Sequence, residues 1–81
     1  MEKKTLKFTI RGKIYELKKE EVHKKLKGVV AEPIRKYYIE VENMQYPVKQ
    51  VLTTVTGLPP ISFTSKYAYD VLTRLGFEVK H

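Results

Sequence analysis

Residues 46–79 read YPVKQVLTTVTGLPPISFTSKYAYDVLTRLGFEV and carry two copies of one hydrophobic pattern. In each copy apolar residues recur at i, i+3, i+4 and i+7: Val48, Val51, Leu52 and Val55, then Ala68, Val71, Leu72 and Leu75. This spacing places one apolar stripe on each of two helices. Gly57, Pro59 and Pro60 can end the first helix and prevent its continuation. We therefore predict two facing helices, over 48–56 and 65–75, as the core of the domain.

The first part of the chain predicts a β-hairpin. Polar and apolar residues alternate over 5–10, and a second such run follows Arg11-Gly12. A two-residue loop would pair Phe8 with Tyr15, and it would also pair Leu6 with Leu17 and Lys7 with Glu16, which are favourable cross-strand neighbours. Arginine is not the preferred first loop residue, so a longer loop with a bulge stays open.

Three further segments complete the predicted fold. Residues 19–27 predict a short helix with Val22 and Leu26 inward, and the runs near 37–42 and 77–80 predict strands that pair with each other. We expect a single α+β domain over 1–81. It would have one small antiparallel sheet, made of the hairpin and these two strands, packed against three helices.

Composition excludes several kinds of site. The chain has no cysteine, so it can form neither a disulfide nor a zinc–thiolate site, and it has only two histidines. One lies at the last position and the other, His23, lies among lysines, which does not suit a general base or a metal ligand. We therefore predict no catalytic residue, no metal and no cofactor. The lack of cysteine is compatible with a reducing cytosol, and the sequence has no run of about 20 apolar residues, so we expect a cytoplasmic protein that does not enter membranes.

The net charge of +7 is concentrated in the first half of the chain. Residues 1–36 contain twelve lysines and arginines against five glutamates, whereas residues 37–81 contain four basic and four acidic residues. A basic surface of this kind favours a polyanionic partner, because lysine and arginine near phosphates release condensed counterions. The same Lys- and Glu-rich composition is typical of thermophilic proteins, in which the charges serve stability.

Nucleic acid, most simply DNA, is the predicted partner. We expect electrostatic contacts from Arg11, Lys13, Lys18, Lys19, Lys27, Arg35 and Lys36, and more specific contacts from Lys49, Lys66 and Tyr69. The order helix, glycine turn, helix invites comparison with helix-turn-helix DNA readers, although the predicted turn is longer than their usual one. Two helices packed on a sheet, with ordinary polar outer faces, explain the same pattern.

The six tyrosines support an alternative. Most lie in the neutral half of the chain, and Tyr38 and Tyr69 fall on predicted outer faces. Exposed aromatic rings are typical of protein interfaces. A protein-interaction module or antitoxin-like regulator, acting on a protein partner or as a homodimer, is therefore the second hypothesis.

The segments YPVKQV, TGL and FTSKYAYDVLTRLGFEV add a resemblance over about 37–79. They resemble a small module, Tyr-Pro-x-Lys, Gly-Leu and Phe-x-x-x-x-Ala-x-x-x-Leu-x-x-Leu-Gly-Phe, of short uncharacterised prokaryotic proteins and of the N-terminal region of some modification-dependent HNH restriction endonucleases. The resemblance implies a DNA-associated role, with Tyr46 and Lys49 at the positions of the module's Tyr and Lys. After Phe63 the chain has Thr-Ser-Lys where the endonucleases commonly have small glycines.

Overall fold

The computed structural model describes residues 5–34 and 36–81. Its elements are, in chain order, β1 (Thr5–Ile10), β2 (Lys13–Lys18), α1 (Lys19–Leu26), β3 (Tyr38–Val41), β4 (Met44–Pro47), α2 (Val48–Thr56), a 3₁₀ turn (Pro60–Ser62) and α3 (Ser65–Arg74). The α+β class and the three helices are confirmed. In the described part of the chain, no helix has the length and apolar character needed to cross a membrane.

The predicted stripes form the core. All eight apolar residues of the two patterns are buried, and so are Val22 and Leu26 of α1. Helix α2 contacts both α1 and α3, so it is the central helix of the domain. Thr64 caps α3 by accepting a hydrogen bond from the amide of Tyr67, as expected of a threonine just before a helix.

The N-terminal hairpin has the predicted register. Leu6 faces Leu17, Phe8 faces Tyr15 and Ile10 faces Lys13 across a two-residue loop. Arg11 and Gly12 in this loop have φ values of 52° and 79°. Positive φ at both positions defines a type I′ turn, whose twist matches that of the two strands.

A second hairpin was not predicted. Strands β3 and β4 pair from Tyr38 with Pro47 to Val41 with Met44. Glu42 and Asn43 form the loop, with φ values of 48° and 67°, so this is also a type I′ turn. Met44 follows the loop directly and begins β4.

The sheet corrects one part of the prediction. In the described residues the strands form two separate two-stranded sheets, and the expected strand near 77–80 is reduced to a bridge between Tyr38 and Lys80. The reason lies at the end of α3, where the amide of Phe77 donates to the carbonyl oxygen of Leu72 and Gly76 has a φ of 102°. This turn directs the Phe77 ring toward α1, so only Lys80 reaches β3.

The left-handed conformation of Arg11 gives a stability prediction. Arg11→Asn is expected to raise the free energy of unfolding by about 1 kcal/mol, because asparagine adopts positive φ more readily than other side chains. Urea unfolding measures the change. Lys13→Asn is the control, since it removes the same charge from a strand position where asparagine is disfavoured. A variant Arg11→Asn that gains no stability would contradict the turn assignment.

Candidate functional site

In its described residues, the segment between α1 and β3, here called the connector, has no regular structure and is held by two side chains. The Tyr46 hydroxyl donates to the carbonyl oxygen of Val29 at 3.1 Å. On α2, Gln50 Nε2 donates to the carbonyl oxygen of Val30 at 2.8 Å, and Gln50 Oε1 accepts from the amide of Glu32 at 2.9 Å. Gln50 thus binds the connector as a neighbouring strand would, through one donor and one acceptor.

A cleft of about 440 Å³ lies where this connector passes the start of α2 and the start of α3. Its volume is in the usual range of small-ligand sites. The lining combines three prolines, one tyrosine ring, hydroxyl groups and two lysines: Glu32, Pro33, Lys36, Tyr37, Pro47, Val48, Lys49, Gln50, Thr53, Thr54, Pro60 and Ser65. Lys36 and Lys49 are the positive charges in this set, and Glu32 is the negative one.

The first turn of α2 adds partial positive charge to the cleft. Pro47 is the N-cap residue and has no side-chain acceptor. The amide of Val48 donates to the carbonyl oxygen of Tyr37 at 3.1 Å, whereas the amides of Lys49 and Gln50 precede the first helical hydrogen bond. Such uncapped amides favour a negatively charged group.

One polar atom beside the cleft lacks a partner. Thr53 Oγ1 is buried and makes no hydrogen bond among the described residues. A buried hydroxyl without a partner destabilises a fold by about 1–3 kcal/mol. A bound polar group or a water molecule that formed a hydrogen bond with Thr53 Oγ1 would remove this cost.

One aromatic ring, that of Tyr37, lines the cleft, and two further rings pack against it. The Tyr37 ring packs nearly perpendicular to Tyr69 and to His81, with centroids 5.0 Å and 5.8 Å apart. The Lys36 ammonium lies 5.2 Å from the centroid of the Tyr37 ring. Tyr69, predicted on an outer face, is therefore half-buried beside the cleft, where it holds Tyr37 in place.

The first turn of α3 joins the cleft to the N-terminal hairpin. Ser65 lines the cleft, and the Tyr67 hydroxyl donates to the carbonyl oxygen of Thr9 at 2.5 Å. Thr9 is two residues from the hairpin loop. The hairpin that carries Arg11 and Lys13 is thus bonded to the helix that begins at the cleft, and Lys36 and Lys49 line that cleft, whereas Lys66 is not in its lining.

The remaining predicted residues lie elsewhere. Lys18 lies in a groove with Glu16, Glu20 and Glu21, and Lys27 lies near the loop between β3 and β4. Lys19 is used within the fold, since its ammonium donates to the carbonyl oxygen of Gly76 at 3.0 Å. Arg35 lies outside the described residues.

Sequence reasoning missed part of this site. The sequence placed Tyr37 in a strand near 37–42, yet the residue precedes β3 and lines the cleft. Pro33 and Ser65 carried no functional signal of their own. The polar face of α2 was the one usable signal, because the apolar stripe leaves Lys49, Thr53 and Thr54 on the other side of the helix, and all three line the cleft.

Together, the two hairpins, the three helices and the cleft define a small α+β protein with a cationic and aromatic cleft. The chain belongs to the SCO5918-like family, whose model matches residues 7–81. No curated protein and no solved structure matches the chain. The resemblance to the N-terminal region of HNH endonucleases stays a prediction.

The role of Lys19 can be separated from that of its neighbour. Its ammonium also lies 5.0 Å from the centroid of the Phe77 ring. Lys19→Met keeps the unbranched stem and removes the charge, so we expect the free energy of unfolding to fall by about 1 kcal/mol. Lys18→Met is the control and should leave urea unfolding nearly unchanged. Equal effects of the two substitutions would show that Lys19 has no special structural role.

The hydrogen bonds made by Gln50 predict that backbone amides of the connector are protected from hydrogen exchange. Gln50→Ala removes the acceptor for the Glu32 amide, so we expect that amide to exchange with solvent hydrogen faster while amides within α2 stay protected. Hydrogen exchange followed by NMR measures the difference. Gln45→Ala, at an exposed position of β4, is the control. An unchanged exchange rate at Glu32 would mean that other contacts hold the connector.

Proposed function

We propose that this protein is a non-catalytic nucleic-acid-binding module, that its ligand is DNA and that it acts in the cytoplasm. The observation that carries the proposal is the convergence of Lys36 and Lys49 on one cleft at the uncapped first turn of α2. Two ammonium groups and free amides at one site suit a phosphate group, which accepts hydrogen bonds on several oxygens. DNA is favoured over RNA by the resemblance to the endonuclease region.

The hairpin loop extends the proposed contact surface. Arg11 and Lys13 are exposed and lie at the end of the molecule where α3 begins. Their type I′ turn fixes the loop backbone, which reduces the entropy that a flexible basic loop would lose on binding. Lys66 is exposed on the first turn of α3, where it follows Ser65, which lines the cleft, and precedes Tyr67, which bonds the hairpin. Phosphates of a single strand or of one side of a duplex could follow this path.

The internal roles of the tyrosines make the alternative, a protein-interaction module, less favourable. Tyr46 and Tyr67 use their hydroxyls for backbone contacts, and Tyr37 packs against Tyr69. Tyr38 is half-buried next to the bridge with Lys80. Residues 37–81, the neutral half of the chain, therefore expose less aromatic surface for a protein partner than the sequence suggested. Val30 and Ile61, which are 83% and 79% exposed, are the apolar side chains that most favour a protein partner.

Salt dependence tests the proposal. The double variant Lys36→Gln/Lys49→Gln should bind DNA more weakly, because it neutralises fewer phosphates and so releases fewer counterions. The slope of log affinity against log salt should become smaller by about 0.9 for each duplex phosphate that the variant no longer neutralises. Fluorescence anisotropy with a labelled duplex at several salt concentrations measures both quantities.

The matched control is Lys24→Gln/Arg74→Gln, which removes the same charge from exposed positions outside the predicted surface. We expect its slope to stay close to that of the unmodified protein. The proposal fails if the unmodified protein has no affinity for DNA at low salt, or if the two double variants lose affinity equally.

A further inference from the structure

We propose that the cleft accepts one unpaired nucleotide, so that the protein prefers single strands or duplexes with an extruded base over perfect duplexes. This inference rests on the proposed nucleic-acid binding and specifies the ligand of the same site. It follows from the size and shape of the cleft, from the chemistry of its walls and from the position of the Lys36 ammonium.

The size of the cleft argues for a single nucleotide. A volume of about 440 Å³ suits a small ligand, for which sites of roughly 300–1,000 Å³ are usual. A base inside a duplex is covered on both faces by its neighbours and can enter a cleft of this size only after it leaves the stack. The phosphates of an intact duplex can contact Lys36 and Lys49 at the cleft, but its bases cannot reach the inner walls.

The walls provide separate regions for a base and a phosphate. Pro33, Pro60 and the Tyr37 ring offer flat apolar surface, which suits the face of a base of any sequence. Lys49 and the start of α2 lie beside this surface and suit the phosphate. Thr54 and Ser65 add hydroxyl groups that can donate to or accept from the edge of a base or the sugar.

Lys36 connects the two regions. In the free protein its ammonium covers the Tyr37 ring at 5.2 Å, a cation–π contact that keeps the ring face occupied. A base that stacks on Tyr37 takes the place of the ammonium, which then pairs with the phosphate of the same nucleotide. The contacts of Tyr37 with Tyr69 and His81 keep the ring in position during this exchange.

The test compares three labelled DNA probes: a short thymidine single strand, a blunt duplex, and the same duplex with one bulged nucleotide. We expect the unmodified protein to bind the single strand and the bulged duplex about tenfold more tightly than the blunt duplex, a factor within the range that one stacked base contributes. Equal affinity for the bulged and the blunt duplex would overturn the inference. Salt-dependent binding of the blunt duplex would still support the proposed function.

Two sets of variants assign the preference to the cleft. Thr54→Phe places a bulky side chain in the cleft without a change of charge and should remove the tenfold preference. Thr5→Phe makes the same substitution on an exposed strand position and should keep the preference. If Thr54→Phe keeps it too, the inference is wrong.

Tyr37 provides the second set and does not depend on the folding of Thr54→Phe. Tyr37→Phe retains the ring and should bind all three probes as the unmodified protein does. Tyr37→Leu removes the ring and should lower affinity for the single strand and the bulged duplex toward that for the blunt duplex. A preference that survives Tyr37→Leu, with the fold intact by circular dichroism, would also overturn the inference.

Discussion

The burial of one face of α2 is the constraint on which both the core and the cleft depend. Val48, Val51, Leu52 and Val55 are all buried, which fixes the rotation of α2 between α1 and α3. Once this stripe faces inward, the helical period turns Lys49, Thr53 and Thr54 toward the cleft. The core and the candidate site therefore lie on opposite faces of α2, and the orientation of this helix about its axis determines both. A substitution that rotated α2 about its axis would alter both.

The parts of the fold that the sequence could predict are those that local patterns decide. The stripes of α2 and α3 and the pairing of Phe8 with Tyr15 follow from periodicity and loop length. The separate second sheet does not follow from periodicity or loop length. Its existence depends on the positive φ of Glu42 and Asn43, which ordinary turn preferences do not assign to glutamate. The absence of the expected last strand depends on the packing of Phe77 against His23 on α1, an interaction between distant parts of the chain.

The site was less predictable for the same physical reason. Lys49 could be assigned to a polar helix face, but its convergence with Lys36 depends on the path of the connector, which has no periodic pattern. That path is set by hydrogen bonds of Tyr46 and Gln50 to backbone groups 17–20 residues away. Lys19 shows the converse: its partner Gly76 is 57 residues away, so no local feature distinguishes this structural lysine from a free one. In the Tyr-Pro-x-Lys motif, Tyr46 holds the connector that follows α1, while Lys49 lines the cleft.

The two hairpins have a consequence for how the chain folds. Each sheet pairs strands that are separated by only two residues, so each closes a very short loop and loses little chain entropy in doing so. Strand pairing between distant segments is confined to Tyr38 and Lys80 among the described residues. Folding rates rise as contacts become more local in sequence, and an isolated two-stranded hairpin is only marginally stable. We therefore expect rapid folding in which transient hairpins form early. The docking of the three helices on one another is then the slow step, and it stabilises the hairpins.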